Sequence, residues 1–466
     1  RYSTQGDIVK ACAISLLICE YSMQIEFSYS LVISLIYVIF SSVEKGADDK
    51  INSFLNSFCF KIDHDIDDRV FFPLKKEQSA EYKTNVWVKD VLRYMSRDHK
   101  HLISALCNYS HLLVGWTNDQ MAGVLMYMCV LNKYYNPEYS VVIAINSVHN
   151  PDLMKSLTIA LKCLGYNREA MCACLCESTV LQGRGVGDID VIGESLERCS
   201  KQHPAFKMQF DEDVLRNAVR EIIRDELDIK RVVFDDKEVF WDKRWLWCVN
   251  GAHSKTVGIY EPDAHFELPG IRTHRRVAAE NIIRNPLNFW SGNAYVTPCE
   301  KLEHGKRRLL LASDTVSYFC FEHFLRPIEK AWRNNSVLLN PGEGGIRNII
   351  CRVQSQASEG EINVMLDYDD FNSQHSILAQ QIVFDEAIKA SGYDSHLGAK
   401  LVDSLSKMHV IDKGVKIGKI RASLMSGHRG TTFMNSILNK AYIMCASPTY
   451  SKLFTSLHTG DDVVGT

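Results

Sequence analysis

The sequence predicts an α+β fold in which an antiparallel sheet is backed by helices and carries acidic residues at one edge. Apolar residues alternate with other residues from Ile362 to Asp367, which is the period of a half-buried strand. Apolar residues lie on both sides of Gly460–Asp462, and this pattern predicts a tight turn between two strands. A helix predicted to begin at Ser426–Gly427 carries its apolar residues on one side, so it should pack against the sheet.

The candidate metal ligands are Asp367, where the first strand ends, and Asp461, in the turn. If the two strands are neighbours, both carboxylates meet at one edge of the sheet. Phosphoryl transfer by two Mg²⁺ ions needs this geometry, because the ions lie roughly 3.5–4 Å apart and keep positions open for substrate oxygens. Solvated turn carboxylates are the alternative, since Gly-Asp-Asp is an ordinary turn sequence. We interpret Asp369 and Asp370 as solvated, or as contributing only to the local electrostatic field.

Polar residues on the other face of the predicted helix indicate contact with a sugar. Thr431 and Asn435 stand four residues apart and so share one face, and Asn439 continues the stripe. Asn372 follows Asp367 closely, at the place where a sugar would pass. Hydroxyl and amide groups can both donate to and accept from a ribose hydroxyl. The alternative is that backbone groups satisfy these side chains.

Three stretches in this order resemble motifs A, B and C of viral RNA-dependent RNA polymerases. They are LDYDDFNSQHS at Leu366–Ser376, SGHRGTTFMN at Ser426–Asn435 and HTGDDVV at His458–Val464. The wording is most similar to that of totiviruses and their double-stranded-RNA relatives. The resemblance implies a right-hand polymerase with palm, fingers and thumb.

The resemblance also implies roles for individual residues. Asp367 and Asp461 would bind the catalytic metals, Mg²⁺ or alternatively Mn²⁺, with Asp462 assisting. The Ser426–Gly427 turn would move with the template and the incoming nucleotide, and Thr431 and Asn435 would help to recognise the 2′-hydroxyl.

Asn372 departs from the pattern of many plus-strand virus polymerases, which carry Asp at the matching position. A reverse transcriptase would be expected to carry a bulky aromatic residue there, to exclude the hydroxyl. Asn372 therefore favours a ribonucleotide substrate.

A basic stretch, KLEHGKRRL at Lys301–Leu309, precedes an apolar run. Lys306 and Arg308 lie on one side of an extended segment and are suited to gripping a triphosphate, for which Arg offers two parallel donors. The stretch is similar to motif F of these polymerases, which lines the path of the nucleotide, and we include Lys301 among the nucleotide-binding residues. A solvated charged face is the alternative.

The organisation follows from these marks. Residues 1–250 are predicted to be a helical amino-terminal extension that braces the fingers, and residues 251–360 are predicted to be fingers with motif F. Residues 361–376 form the palm at motif A, 377–425 a fingers insertion, and 426–466 the palm at motifs B and C. The apolar stretch Phe27–Val43 is predicted to be a buried helix rather than a membrane span.

Composition sets limits on this interpretation. A length of 466 residues allows two or three domains with ample core. A net charge of −3 disfavours an external RNA-binding surface but not an internal positive channel. Fifteen cysteines without zinc-ligand spacing fit a reducing compartment. The chain starts at Arg1 and ends four residues after Asp462, so we expect a fragment that lacks the thumb.

The predicted function is RNA-templated RNA synthesis from ribonucleoside triphosphates, in which a 3′-hydroxyl attacks the α-phosphate and displaces pyrophosphate. The resemblance further implies replication and transcription of a double-stranded RNA genome inside a capsid in the host cytoplasm, with a capsid protein as partner, often as a fusion, and without a membrane. Two alternatives remain: a reverse-transcriptase-like polymerase, and a non-catalytic RNA-binding or capsid-associated fragment.

Overall fold

A computed structural model describes most of the chain. The described residues are 26–60, 67–72, 86–176, 178, 181, 188–200, 210–249, 251, 253, 257–266, 268, 273–303, 306–339, 345–356, 364–366, 368, 370–448 and 455–465. The chain divides into two compact units, one comprising Arg1–Ile189 with Lys301–Arg308 and the other Asp190–Glu300 with Leu309–Thr466. Helices predominate and the strands form two small sheets, so the α+β prediction is confirmed.

The described elements of the first unit are helical, apart from the strand residues within Lys301–Arg308. The α-helices are α1 (Tyr29–Phe40), α2 (Asp49–Cys59), α3 (Val88–Asp98), α4 (Lys100–Cys107), α5 (Asn118–Leu131), α6 (Pro137–His149), α7 (Pro151–Cys163) and α8 (Ala170–Cys176). Short 3₁₀ helices cover Asp68–Val70, Ser110–Leu113 and Tyr166–Arg168. These helices share one apolar core, to which Leu92, Leu125 and Leu157 contribute buried side chains.

The helix predicted within Phe27–Val43 is α1, and it has 12 residues. Val32, Ile36 and Ile39 recur at helical spacing and are fully buried, which confirms the prediction of a buried helix. No helix in the described ranges has the length and apolar character needed to cross a bilayer.

The second unit alternates helices and strands. Its first helices are α9 (Val191–Cys199), α10 (Glu212–Glu226), α11 (Lys237–Asp242), α12 (Arg244–Trp247), α13 (Val257–Tyr260), α14 (Arg275–Asn281) and α15 (Pro286–Phe289), with 3₁₀ helices at Ile229–Arg231 and Pro262–Ala264. There follow β1 (Ala294–Glu303), β2 (Lys306–Ser313), α16 (Thr315–Ala331), α17 (Gly345–Gln356), β3 (Val364–Leu366), α18 (Phe371–Gln374), α19 (Ile377–Ser391), α20 (Ser395–Ser404), β4 (Met408–Asp412), β5 (Val415–Lys419), α21 (Thr431–Ala446), β6 (Ser456–Thr459) and β7 (Asp462–Gly465).

One sheet has the strand order β2-β1-β4-β5. Strands β1 and β4 are parallel, with Val296 opposite Val410, whereas β4 and β5 form an antiparallel hairpin. The turn of that hairpin is Lys413–Gly414, and both residues have positive φ, 47° and 88°. A type I′ turn requires this conformation at both central positions. Lys413 and Gly414 therefore both have the positive φ that a tight two-residue hairpin turn needs.

The second sheet is small, antiparallel and ordered β3-β7-β6. Residues 336–338 extend it beside β6: Val337 forms a parallel bridge with His458, and the Leu338 N–H donates to the His458 carbonyl at 2.8 Å. The Glu226 carboxylate accepts from the backbone N–H groups of Asn335, Ser336 and Val337 and so holds this added segment in place.

Residues 190–250 belong to the second unit, so the compact unit begins before the predicted boundary at residue 250. Helix α10 explains the difference, because its apolar residues Val219, Ile222 and Ile223 are buried in the same core as α19 and α21. Arg220 adds an ion pair of 2.9 Å to the buried Glu386 of α19. The assignment of these residues to a fingers-bracing extension stays a prediction.

Candidate active site

The predicted Gly-Asp-Asp turn is the loop of the β6–β7 hairpin. Thr459 pairs with Asp462, which leaves Gly460 and Asp461 as the two central residues. Gly460 has φ +59°, a conformation that glycine adopts at low cost at the first central position of a tight hairpin. Asp461 and Asp462 are both exposed. The predicted turn between two strands is confirmed.

Strand β3 lies directly beside this hairpin. Leu366 is opposite Val463 in the antiparallel register, so the end of β3 reaches the start of β7 at Asp462. The two strands are therefore neighbours, which is the condition for their acidic residues to meet at one edge of the sheet. Asp367, the next residue after β3, lies outside the described residues, as does Asp369.

Helix α21 anchors the turn from below through two buried side chains. The Ser436 hydroxyl accepts from the Gly460 N–H at 2.8 Å. The Asn439 amide donates to the carbonyls of Gly460 and Asp462 at 3.1 and 3.2 Å. These bonds fix both ends of the two-residue loop, so the backbone that carries Asp461 is held by a helix rather than by the hairpin alone.

His458 completes this support. Its Nδ1 lies 3.1 Å from the Asn439 amide oxygen, and its Nε2 lies 2.7 Å from the Ser456 hydroxyl. Burial, followed by the Lys440 charge, lowers the pKa of His458 to about 3, so the ring is neutral. An amide oxygen only accepts; hence Nδ1 carries the proton and Nε2 accepts from Ser456.

The structure brings together the two asparagines predicted to meet a sugar. The Asn435 amide donates to the Asn372 side-chain oxygen at 2.9 Å, and Asn435 is buried while Asn372 is partly exposed. The Asn435 oxygen in turn lies 2.9 Å from His375 Nε2. Asn372 is thus the outer member of the pair.

Thr431 is placed differently from the prediction. Helix α21 begins at Thr431 and not at Ser426–Gly427, because residues 426–430 form a loop that precedes it. The Thr431 hydroxyl lies 2.7 Å from the Met425 carbonyl and 2.8 Å from the His428 carbonyl. Its proton is therefore donated to the loop that precedes the helix, and only its lone pairs remain for a ligand.

The Ser426–Gly427 loop lies against strand β2. Gly427 forms a parallel bridge with Ala312 and donates its N–H to the Leu311 carbonyl at 3.1 Å. A Cβ on Gly427 would lie 2.6 Å from that carbonyl oxygen, so no larger residue fits without movement. The loop is also anchored by Arg429, which pairs with Glu329 at 2.7 Å.

The basic residues predicted to bind nucleotide lie on the β1–β2 hairpin. Lys306 and Arg308 are exposed and alternate along β2, which places both on one side of the strand. Arg308 and Lys301 each pair with Glu303, at 3.1 and 2.8 Å. These contacts lower the pKa of Glu303, with the Lys301 hydrogen bond as the first cause. Glu303 therefore neutralises part of the cluster.

Asp370 is not merely solvated, as we had interpreted it. Its carboxylate pairs with Arg198 of α9 at 2.9 Å, and its φ of 42° is in the left-handed region. Its carbonyl accepts from Ser373 at 2.9 Å. The ion pair joins Asp370 to helix α9, and no motif in that helix predicts this contact.

Several supporting residues were missed or underused. His375 and His458 fall within the three motif stretches, but we predicted no role for them. The available signal was indirect: Asn435 and Asn439 lie four residues apart on one helix face, and each needs a polar partner such as a histidine. Tyr442 had no signal, because it adds only one more aromatic residue to a largely apolar helix.

The acidic residues fit a hard divalent cation, which takes oxygen ligands. Asp461 is exposed at a rigidly held turn, and no partner for its carboxylate occurs in the described part of the chain. Among the described residues, no three His, Cys, Asp or Glu side chains lie close enough together to hold a metal ion. The third predicted ligand, Asp367, is outside them.

A family model described as viral RNA-directed RNA-polymerase matches residues 70–465. The chain belongs to this family. The predicted resemblance to totivirus-type RNA-dependent RNA polymerases and the predicted α+β polymerase fold are confirmed.

Individual relatives are polymerases of viruses. The chain is 36% identical over 400 residues to the probable RNA-directed RNA polymerase of Leishmania RNA virus 1 - 1 (isolate Leishmania guyanensis), covering 85% of this chain and 45% of that protein. It is 36% identical over 399 residues to that of Helminthosporium victoriae virus-190S, covering 84% and 46%. It is 27% identical over 312 residues to that of Saccharomyces cerevisiae virus L-A, covering 62% and 19%. The chain thus spans less than half the length of these relatives.

Proposed function

We propose that this chain carries the metal-holding and nucleotide-holding part of an RNA-directed RNA polymerase, which extends an RNA strand on an RNA template from ribonucleoside triphosphates. One observation carries the proposal. Helix α21 holds the Gly460–Asp462 turn through Asn439. Through Asn435 it also holds Asn372, and we call Asn435 and Asn372 the sugar-facing pair. An acidic turn and a polar pair on one rigid element suit a reaction in which positioning and charge neutralisation supply most of the catalysis.

The chain's own residues would hold two Mg²⁺ ions, with Mn²⁺ as an alternative, at Asp367 and Asp461 with Asp462 assisting. Bound divalent ions neutralise phosphate charge and favour an ionised 3′-hydroxyl. The exposed Asp461 carboxylate and its anchored backbone support this role.

Asn372 favours ribonucleotides in this proposal, since an amide side chain can pair with a 2′-hydroxyl and does not exclude it. Ser426 and Gly427, beside β2, would follow the template and the nucleotide, and Thr431 would offer its lone pairs. Lys306, Arg308 and Lys301 would bind the triphosphate, with Arg308 giving the planar pair of donors.

We place the protein in the virion interior in the host cytoplasm, with a capsid protein as partner, separate or fused, in the replication and transcription of a double-stranded RNA genome. The support is the similarity to polymerases of viruses. The absence of a membrane partner stays a prediction.

Primer extension by the full-length protein that carries this chain tests the proposal. Asp461→Asn should abolish incorporation of ribonucleotides on an RNA template without changing the far-ultraviolet circular dichroism, because it removes charge at an exposed turn. Asp412→Asn is the matched control: Asp412 lies beside the Lys413–Gly414 hairpin turn, and its variant should extend at the parent rate. Extension by Asp461→Asn at the parent rate, or none by the parent, would overturn the proposal.

A further inference from the structure

Two polar chains of similar kind reach helix α21 one turn apart, at Asn435 and at Asn439. In the first, Tyr442, His375 and Asn435 lead to Asn372. In the second, described above, Ser456 and His458 lead through Asn439 to the metal-holding turn. Each chain contains one buried histidine between a hydroxyl and an asparagine side chain. The second supports the turn, which leaves the purpose of the first to be found.

His375 is fully buried, with its Nδ1 2.9 Å from the Tyr442 hydroxyl and its Nε2 2.9 Å from the Asn435 oxygen. Phe371 contacts the ring edge to face, with centroids 4.4 Å apart. Burial lowers the pKa of His375 to about 4, so the ring is neutral, with one donor and one acceptor. The Asn435 oxygen requires the donor, so Nε2 carries the proton and Nδ1 accepts from Tyr442.

This direction sets the orientation of the asparagines. With its oxygen held by His375, Asn435 must point its NH₂ group at the Asn372 oxygen. Asn372 then points its own NH₂ group away from Asn435. Without the His375 proton, the Asn435 amide could exchange its oxygen and nitrogen, and Asn372 could turn with it.

We propose that His375 is a positioning residue for sugar selection, which locks Asn435 and through it holds the Asn372 NH₂ group toward the 2′-hydroxyl of the incoming nucleotide. This rests on the proposed function. A locked donor penalises a deoxyribonucleotide, because the N–H then loses the hydroxyl that it is held to meet. A donor that is free to turn finds another partner and penalises it less.

Two amide substitutions at one position separate this role from simple packing. In His375→Gln the amide lies at the ε position, like Nε2, and can still donate to Asn435. In His375→Asn it lies at the δ position, like Nδ1, and reaches only toward Tyr442. Both variants place an amide in the same cavity, so they differ chiefly in which partner they keep.

The measurement is kcat and KM for ATP and for dATP in primer extension by the full-length protein, with folding checked by thermal melting. The ratio of kcat/KM for ATP to kcat/KM for dATP should fall roughly 2- to 12-fold in His375→Asn. This range corresponds to the free energy of one net hydrogen bond. The ratio should stay within about twofold of the parent in His375→Gln. The fall should come mainly from better use of dATP.

His458 supplies the reciprocal control, because there Nδ1 is the donor to Asn439. His458→Gln loses that bond, and it should lower kcat for both nucleotides while leaving their ratio unchanged. An equal shift of the ratio in His458→Gln and His375→Asn would mean general loosening of α21 and would overturn the inference. So would equal ratios in the two folded His375 variants.

The outcomes separate the two proposals. A parent protein that makes no RNA overturns both, whereas an active parent with unchanged ratios overturns only the role of His375. If neither His375 variant folds, Tyr442→Phe decides, since it removes the hydroxyl that donates to Nδ1 and so frees the choice of His375 tautomer. A folded Tyr442→Phe with the ratio of the parent then refutes the relay, and a lowered ratio supports it.

Discussion

Replacing Gly427 by alanine tests how closely the Ser426–Gly427 loop must lie against strand β2. The added methyl group would meet the Leu311 carbonyl oxygen at 2.6 Å and the Ala312 Cα at 2.9 Å. Both are backbone atoms of a paired strand, so neither can turn aside as the end of a side chain could. The loop has to accept the clash or move away.

The two responses cost similar amounts. Keeping the loop in place costs about 1–3 kcal/mol, as overpacking by one methyl group usually does. Moving it breaks the Gly427 N–H bond to Leu311 and the Leu311 N–H bond to Ser426, which contribute about 0.5–1.5 kcal/mol each. We therefore expect Gly427→Ala to lower the free energy of unfolding by about 1–3 kcal/mol. We also expect a raised KM for nucleotide, since Ser426 is displaced.

Urea denaturation and steady-state kinetics measure the two effects. Gly123→Ala is the control, because Gly123 lies inside helix α5 and its added Cβ would meet only a side-chain carbon, Leu181 Cδ2, at 3.4 Å. That variant should be unchanged or more stable by up to about 1 kcal/mol. The reasoning fails if Gly427→Ala unfolds at the same urea concentration as the parent with an unchanged KM.

Two further predictions concern buried polar groups. Asn439→Ala should lower the free energy of unfolding by about 2–4 kcal/mol, because the turn loses two hydrogen bonds and the buried His458 N–H loses its acceptor. It should also reduce kcat more than it raises KM, and a kcat equal to that of the parent would contradict this. Burial lowers the pKa values of several histidines, among them His375 to about 4 and His428 and His458 to about 3. The unfolded chain takes up these protons from about pH 6.5 downward and the folded chain only near pH 4 to 3, so each histidine should remove about 2 kcal/mol of stability at pH 5. The stability lost between pH 7 and pH 5, measured by urea denaturation, should therefore shrink by about 2 kcal/mol in His428→Gln, and an unchanged loss would refute the assignment.

The strands and turns at the candidate site could be predicted from the sequence because their signals are local. The alternation of apolar and other residues up to Leu366 predicts β3. Gly460 predicts the tight turn, and its positive φ is the conformation that this turn needs. The pairing of β3 with the β6–β7 hairpin cannot be predicted in this way, since no local pattern specifies which strands are neighbours. The register, with Leu366 opposite Val463, shows this pairing.

The features that were predicted wrongly or missed depend on contacts between distant parts of the chain. Ser426–Gly427 looked like a helix start, but its hydrogen bonds go to β2, more than a hundred residues earlier, and the helix waits until Thr431. Asp370 looked solvated because its partner Arg198 lies in a region without recognisable motifs.

Helix α21 explains why the polar residues of this site have so little freedom. It is buried along most of its length, so every buried polar side chain on it needs a hydrogen-bond partner, and an unpaired one would cost about 1–3 kcal/mol. Asn435, Ser436 and Asn439 find those partners at the sugar-facing pair and at the metal-holding turn. The same requirement that keeps the helix folded thus fixes the distance between the two groups, because neither can move without leaving a buried amide or hydroxyl unpaired.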